Sequence, residues 1–340
     1  MARTPADDYP HEYVDTDWTT PLGDLPASVW DEGLLRDSAQ ETLPSYPSGN
    51  DVDDRPARRR RRPLRLLLGL LLAAVALVAV ITVALTSVSP PTSSMIAVQD
   101  GPVIRHDVSI DHISRYMLTA IIMAEDQDFP IRDSGLDWNK QLGLAQEAVK
   151  NKKLPDEGGS TIPQQLAKNF YLYTEGPNKV TKVLRKIIEA PIAELTARVV
   201  SKKRIMELYA NFAQFGPTIF GVCAATWYYF NSPPWNLTPY QASQLAAVLP
   251  LPSLAVRVDE PDGGIYLNVD ENSKNYARFH EKIANRSWWS PDSANSYTTT
   301  MELIGITDEA GDHAAERTNP DSCSTMPQDV AELLTRNGYR

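Results

Sequence analysis

The chain has 340 residues, a formal charge of −10, five histidines and two cysteines. No histidine pair has the H-E-x-x-H spacing of a helical zinc site, which excludes that class of hydrolase. The charge is unevenly spread, and its distribution divides the chain. Residues 1–56 hold thirteen acids against three arginines, so this stretch alone carries the −10. Rich in Pro, Ser, Thr and Gly and poor in periodicity, it has the composition of a disordered segment. Residues 1–65 thus read as an acidic tail that ends in the basic run Arg58–Arg62 and Arg65.

A run of arginines can mark a nucleic-acid contact, but the residues next to it argue otherwise. Leu66 to Leu85 is twenty residues without a charge, and a helix of that length spans about 30 Å, the hydrocarbon thickness of a bilayer. A cleaved signal peptide starts within the first residues of a chain, whereas some 65 precede this one. Residues 66–88 therefore read as an uncleaved signal anchor, 89–95 as a linker. Six arginines on the N-terminal flank put the N-terminus in the cytoplasm and the remainder outside the plasma membrane.

Residues 96–285 have a globular composition, enough for one core, with helical rather than strand periodicity. Ile113, Met117, Ile121 and Ala124 recur at helical spacing and bring Glu125 to a helix end. Thr161-Ile162-Pro163-Gln164 is a capping box, with Pro tolerated in the first turn. The preceding Gly158 and Gly159 make a turn, and free N–H groups at such a helix start suit an anion. Val183, Leu184, Ile187, Ile188, Ile192, Leu195 and Val199 form an apolar stripe, with Pro191 expected to kink it. Ser201 caps a helix through Ile205, Leu208, Tyr209 and Phe212. Thr238 opens another capping box, and Pro250 closes that helix. Residues 286–340 are a more polar C-terminal extension, with a short helix from Gln328. The domain is mainly α.

Four segments carry chemistry: AEDQDF with Glu125, GGSTIPQQLAKN, LRKIIEAP with Arg185, Lys186 and Glu189, and SKKRIMELYAN. Each alone has a plain structural explanation. Arg185 and Glu189, for instance, make an ordinary i,i+4 helix pair. In series and in this order they resemble the peptidoglycan glycosyltransferase domain of penicillin-binding proteins and monofunctional transglycosylases. The likeness covers roughly residues 100–252, including FGVCAATWYYF and LAAVLPLP.

That resemblance implies a lysozyme-like, mainly α glycosyltransferase domain behind a single transmembrane helix, polymerising lipid II into glycan strands with release of the lipid pyrophosphate. It makes Glu125 the base that takes the acceptor hydroxyl's proton and Glu189 the carboxylate beside the departing pyrophosphate. Ser160, Thr161, Gln165, Lys168, Asn169, Arg185 and Lys186 would surround the donor. It further implies a divalent cation, Mg or Mn, at Glu189 and no organic cofactor. The expected partners are lipid II, the growing glycan and the plasma membrane, with cell-wall synthesis or division proteins at the cytoplasmic tail and no nucleic acid. Such residue types suit the reaction, since an alcohol needs a carboxylate to accept its proton and a leaving pyrophosphate needs preplaced cations.

The chain departs from the family pattern in three places. Arg132 stands where His is usual, Pro163 where Thr or Ser is common, and Arg278 is the sole remnant of an Arg-rich fifth motif. These departures favour a second reading, a degenerate, non-catalytic protein of the same fold that binds lipid II or recruits cell-wall partners. Cys223 and Cys323 could be joined outside the membrane, or Cys223 could serve as a small apolar side chain.

Overall fold

A computed structural model describes residues 61–151, 159–174, 178–284 and 296–339. Residues 1–60 of the acidic tail, Gly158 and the start of the C-terminal extension lie outside these residues. Helices dominate, as the periodicity predicts. The first, α1 (Arg61–Ala84), carries three arginines in its first five residues and is uncharged from Leu66 on, with most of its surface from Arg65 on exposed. It is long and apolar enough to cross a membrane. A short α2 (Ser94–Ala97), capped by Ser93, leads to β1 (Ile104–Arg105) and then α3 (Arg115–Glu125). Met117, Leu118, Ile121 and Ile122 of α3 are buried at helical spacing.

Next come α4 (Trp138–Asn151), α5 (Ile162–Ala167), α6 (Lys179–Val199) and α7 (Lys202–Phe212). The caps read from sequence are present: Thr161 and Gln164 form a reciprocal box on α5, and Ser201 accepts the Arg204 N–H at the start of α7. Each such cap contributes about 1 kcal/mol. β2 (Ile219–Phe220) pairs in parallel with β1 and runs into α8 (Gly221–Phe230). Gly221 has φ +76°, and a Cβ there would press on the Asn211 carbonyl, so the strand-to-helix corner needs glycine. α9 (Pro239–Val248), opened by the Thr238–Gln241 box, lies along α3.

The sequence reading contains no strands, and the longest pair is a hairpin. β3 (Ala255–Asp259) and β4 (Ile265–Val269) form an antiparallel hairpin, with Arg257 opposite Leu267. Arg257 is buried inside it, paired with Asp259 and donating to the Tyr228 carbonyl. A charged side chain at an inward position hides the strand alternation. Beyond the hairpin, α10 (Tyr276–Ala284) packs on α9. α11 (Tyr297–Leu303) and α12 (Gln328–Arg336) complete the chain.

The polar C-terminal extension is not a separate appendage in the described residues. Met301, Ile304, Ile306, Val330 and Leu334 enter the same core as α3 and α8. A Cys223–Cys323 disulfide ties this segment to α8.

The apolar stripe of α6 has a different environment from the rest. The helix continues through Pro191, and Ile192 is buried, but Val183, Leu184, Ile187 and Ile188 are 43–63% exposed. α6 packs against α1, so its bare apolar face lies on the helix that neighbours the one long and apolar enough to cross a membrane.

Candidate active site

Glu125 ends α3. The apolar face of the helix is driven into the core, so its last carboxylate is carried to the edge of that core with little solvent around it. Among the described residues one side-chain hydrogen bond reaches it: Gln165 Nε2 donates to Glu125 Oε2 at 2.9 Å. Tyr209, buried on α7, donates from its hydroxyl to Gln165 Oε1 at 2.8 Å. Three helices thus fix one carboxylate through a relay, and Tyr209 is a member that the sequence reading treats as structural. Burial pushes the Glu125 carboxyl above its ordinary value, and Asp126 adds to that. The Gln165 bond, then Lys282, then Lys168, pull it back. Burial also holds the Tyr209 phenol well above its ordinary range, so it stays a neutral donor.

The cations gather around the second carboxylate. Glu189 on α6 is fully buried, with Arg185 Nε 2.9 Å from one oxygen and Lys186 Nζ 3.2 Å from the other. Both approaches are too oblique to be hydrogen bonds, and neither Glu189 oxygen receives one among the described residues. Lys186 also donates to the Ser160 hydroxyl, which joins α6 to the start of α5. Lys168, at the C-terminal end of α5, forms no ion pair among the described residues. Burial lowers its pKa, and the charge that most opposes this is Glu189, with Glu125 a weaker one. Lys168 therefore stands within reach of both carboxylates. A cavity of about 260 Å³ opens beside Glu125, lined also by Asp126, Lys140, Gly159, Ser160 and Thr161.

Of the expected substrate contacts, Thr161 has another duty. Thr161 is buried, its hydroxyl donating to the Gly135 carbonyl at 2.6 Å while accepting the Gln164 N–H. Asn169 is buried beside the start of α2, where its backbone carbonyl accepts from the Ser94 hydroxyl at 2.9 Å, while its side-chain Oδ1 has no hydrogen-bond partner among the described residues.

The start of α5 is also not open to an external anion. Its Ile162 N–H, the first of the helix, is taken by Asp126 Oδ2 at 2.9 Å. A carboxylate of the chain itself, brought over from the end of α3, fills the place that the glycine turn would offer to a phosphate. The same Asp126 pairs with Arg132, whose Nη1 lies 2.8 Å from Oδ1. Arg132 thereby gains a role: it braces the carboxylate that anchors α5 against α3.

Glu189 would offer a divalent cation two oxygens that accept no hydrogen bond among the described residues, once Arg185 and Lys186, now 2.9 and 3.2 Å from them, turn toward phosphate oxygens. Among the described residues the one group of three metal-capable side chains is Asp111, Asp308 and His313, which excludes Glu189. Its carboxylates already face Lys203 and Arg115.

The family described as Transglycosylase matches residues 93–265. A protein of Rhizobium johnstonii named biosynthetic peptidoglycan transglycosylase is 36% identical over 215 residues, 61% of this chain and 84% of that protein. A protein of the same name from Brucella suis is 38% identical over 194 residues, covering 56% of this chain and 82% of its own length. Another, from Mannheimia succiniciproducens, is 45% identical over 145 residues, 43% of this chain and 56% of that one.

Proposed function

The chain belongs to the transglycosylase family, with its lysozyme-like helical fold, and from that premise we propose a division of labour at the site. The protein is a peptidoglycan glycosyltransferase, anchored at a membrane and building glycan strands. Lipid II is the substrate, and the growing strand is the donor. Glu125 accepts the proton of the acceptor hydroxyl as that oxygen attacks the donor's anomeric carbon. Lys168, Arg185 and Lys186 meet the negative charge that develops on the departing lipid pyrophosphate. The observation that carries this reading is the pairing of a desolvated carboxylate, held by Gln165, with a cation cluster one short helix away. Desolvation makes a carboxylate a stronger base, and cations in place beforehand need no reorganisation when charge appears.

Glu189, together with pyrophosphate oxygens, would hold a Mg or Mn ion, which supplies further neutralisation of the leaving group. Without it, Glu189 orients Arg185 and Lys186. Incubating the full-length protein in detergent with lipid II is expected to give glycan polymer. EDTA is expected to lower the rate, with Mg restoring it in the wild type and not in Glu189→Gln. An EDTA-insensitive wild type would remove the cation from the scheme.

The membrane side is assigned from charge and apolarity. Six arginines precede the span, which favours a cytoplasmic N-terminus and an extracytoplasmic domain. The acidic tail is then the surface offered to cell-wall synthesis or division proteins. Protease added to intact wall-free cells is expected to digest the domain beyond Ser87, and protection of that domain would reverse the orientation. The exposed Leu184, Ile187 and Ile188 of α6 lie beside Arg185 and Lys186 in sequence, so the cation cluster is carried by a helix whose apolar face suits the interface.

A further inference from the structure

Resting on the glycosyltransferase reading, we propose that Lys282 is a positioning residue for the reaction, a cation that keeps the base Glu125 in its carboxylate form. It lies on α10, beyond the 93–265 stretch that matches the family. The four motifs contain no equivalent of it.

The geometry is built through α9, which packs on α3 on one side and on α10 on the other. Phe279 and Ile283, four residues apart, are buried and fix the rotation of α10. That rotation brings Lys282 to a cavity of about 250 Å³ shared with Ala124 and Gln127 of the Glu125 turn and with Ser243 of α9. The Lys282 ammonium forms no hydrogen bond or ion pair among the described residues. It is half-buried, and such a group without a partner needs a nearby opposite charge.

Among the described residues, few charged groups bear on Glu125 from the surrounding elements. Asp126 is next to it on the chain, Lys168 approaches from the end of α5, and Lys282 comes from α10. Tyr209 is neutral. The two lysines are not equivalent. Lys168 responds to Glu189 more than to Glu125, with Arg185 and Lys186 pressing on it. Lys282 responds to Glu125 alone among the acids, and Arg278, one turn earlier, is the cation that opposes it. Lys168 thus belongs chiefly to the pyrophosphate cluster, and Lys282 to the base. Such a cation matters because a desolvated carboxylic acid that stays protonated cannot accept the acceptor's proton.

The test is the pH dependence of kcat/KM for lipid II polymerisation by full-length wild type, Lys282→Gln and Lys282→Arg, from about pH 5.5 to about pH 8.5. Removing a positive charge raises the proton affinity of Glu125, so the acidic limb of Lys282→Gln should move to higher pH. The expected loss is roughly threefold or more near the acidic end, shrinking toward the alkaline end. Lys282→Arg should keep the wild-type profile. An unmoved profile in Lys282→Gln, or an equal loss at every pH that Arg does not restore, overturns the proposal. A wild type silent toward lipid II would instead overturn the glycosyltransferase reading, because no profile would then exist to compare.

Discussion

Glu125→Gln is expected to lower lipid II polymerisation by at least about 10², the usual contribution of a positioned acid–base group. Gln keeps the shape of the side chain and can still meet Gln165, so the loss isolates the proton-accepting function. Binding of the donor pyrophosphate should survive, since Lys168, Arg185 and Lys186 are untouched. The effect on stability has the opposite sign. Glu125 is held above its ordinary pKa by burial, so the folded state binds the proton more tightly than the unfolded chain does. Its favourable contribution is full below the unfolded carboxylate value, about 4.3, and is lost as pH rises through the folded value. Near neutral pH the ionised carboxylate therefore weighs against the fold. Glu125→Gln should melt at a higher temperature than wild type at about pH 8, and the gain should vanish in acid. Polymerisation at the wild-type rate would remove Glu125 from the catalytic role.

Cys323→Ser is expected to cost roughly 2–4 kcal/mol of stability and to lower the melting temperature by about 10 °C. The bridge closes a loop spanning 100 residues, and long loops gain most in the chain-entropy account. It also secures a segment that is otherwise held by core packing and a set of hydrogen bonds. Trp227 donates to the Cys323 carbonyl, Asn337 to the Tyr228 hydroxyl, and Tyr339 to the Arg257 carbonyl. Each such bond contributes about 1 kcal/mol. The Cys223→Ser/Cys323→Ser double variant should match the single one, because both lose one and the same bond. Wild-type melting in the double variant, or full alkylation of both thiols in unreduced, unfolded protein, would mean the bridge contributes nothing.

Helices were legible wherever apolar spacing and a cap agreed. α3 could be read to its last residue because Met117, Ile121 and Ala124 lead directly to Glu125, and Ser201 and Thr238 announce α7 and α9. The environment of a helix was less legible. Leu184, Ile187 and Ile188 look the same in sequence whether they face a protein core or acyl chains, and only the packing shows them bare. Long-range partners were out of reach altogether. Nothing local tells that Asp126 will occupy the start of α5, 36 residues on, or that Arg132 will brace it. Lys282 was hidden for a related reason: Arg278, one turn earlier on the same helix, looked like the remnant of a motif and drew attention from it. A polar composition likewise concealed that Met301, Ile304, Val330 and Leu334 complete the core.

The junction between span and domain has a consequence for how substrate is met. The short stretch after α1 has the composition of a tether, but it is fastened. Arg204 of α7 donates to the Leu85 carbonyl at 2.9 Å and to the Ser89 hydroxyl at 3.0 Å, and Thr82 touches the Tyr171 hydroxyl at 3.3 Å. Ser94 then accepts the Tyr173 N–H at 3.0 Å while it holds Asn169. A body fixed this way cannot swing through the surrounding volume in search of a headgroup. Its encounters are two-dimensional, governed by lateral diffusion and by the number of substrate molecules per unit of membrane area. Crowding in the leaflet, more than dilution of the aqueous phase, then sets how often the site is filled.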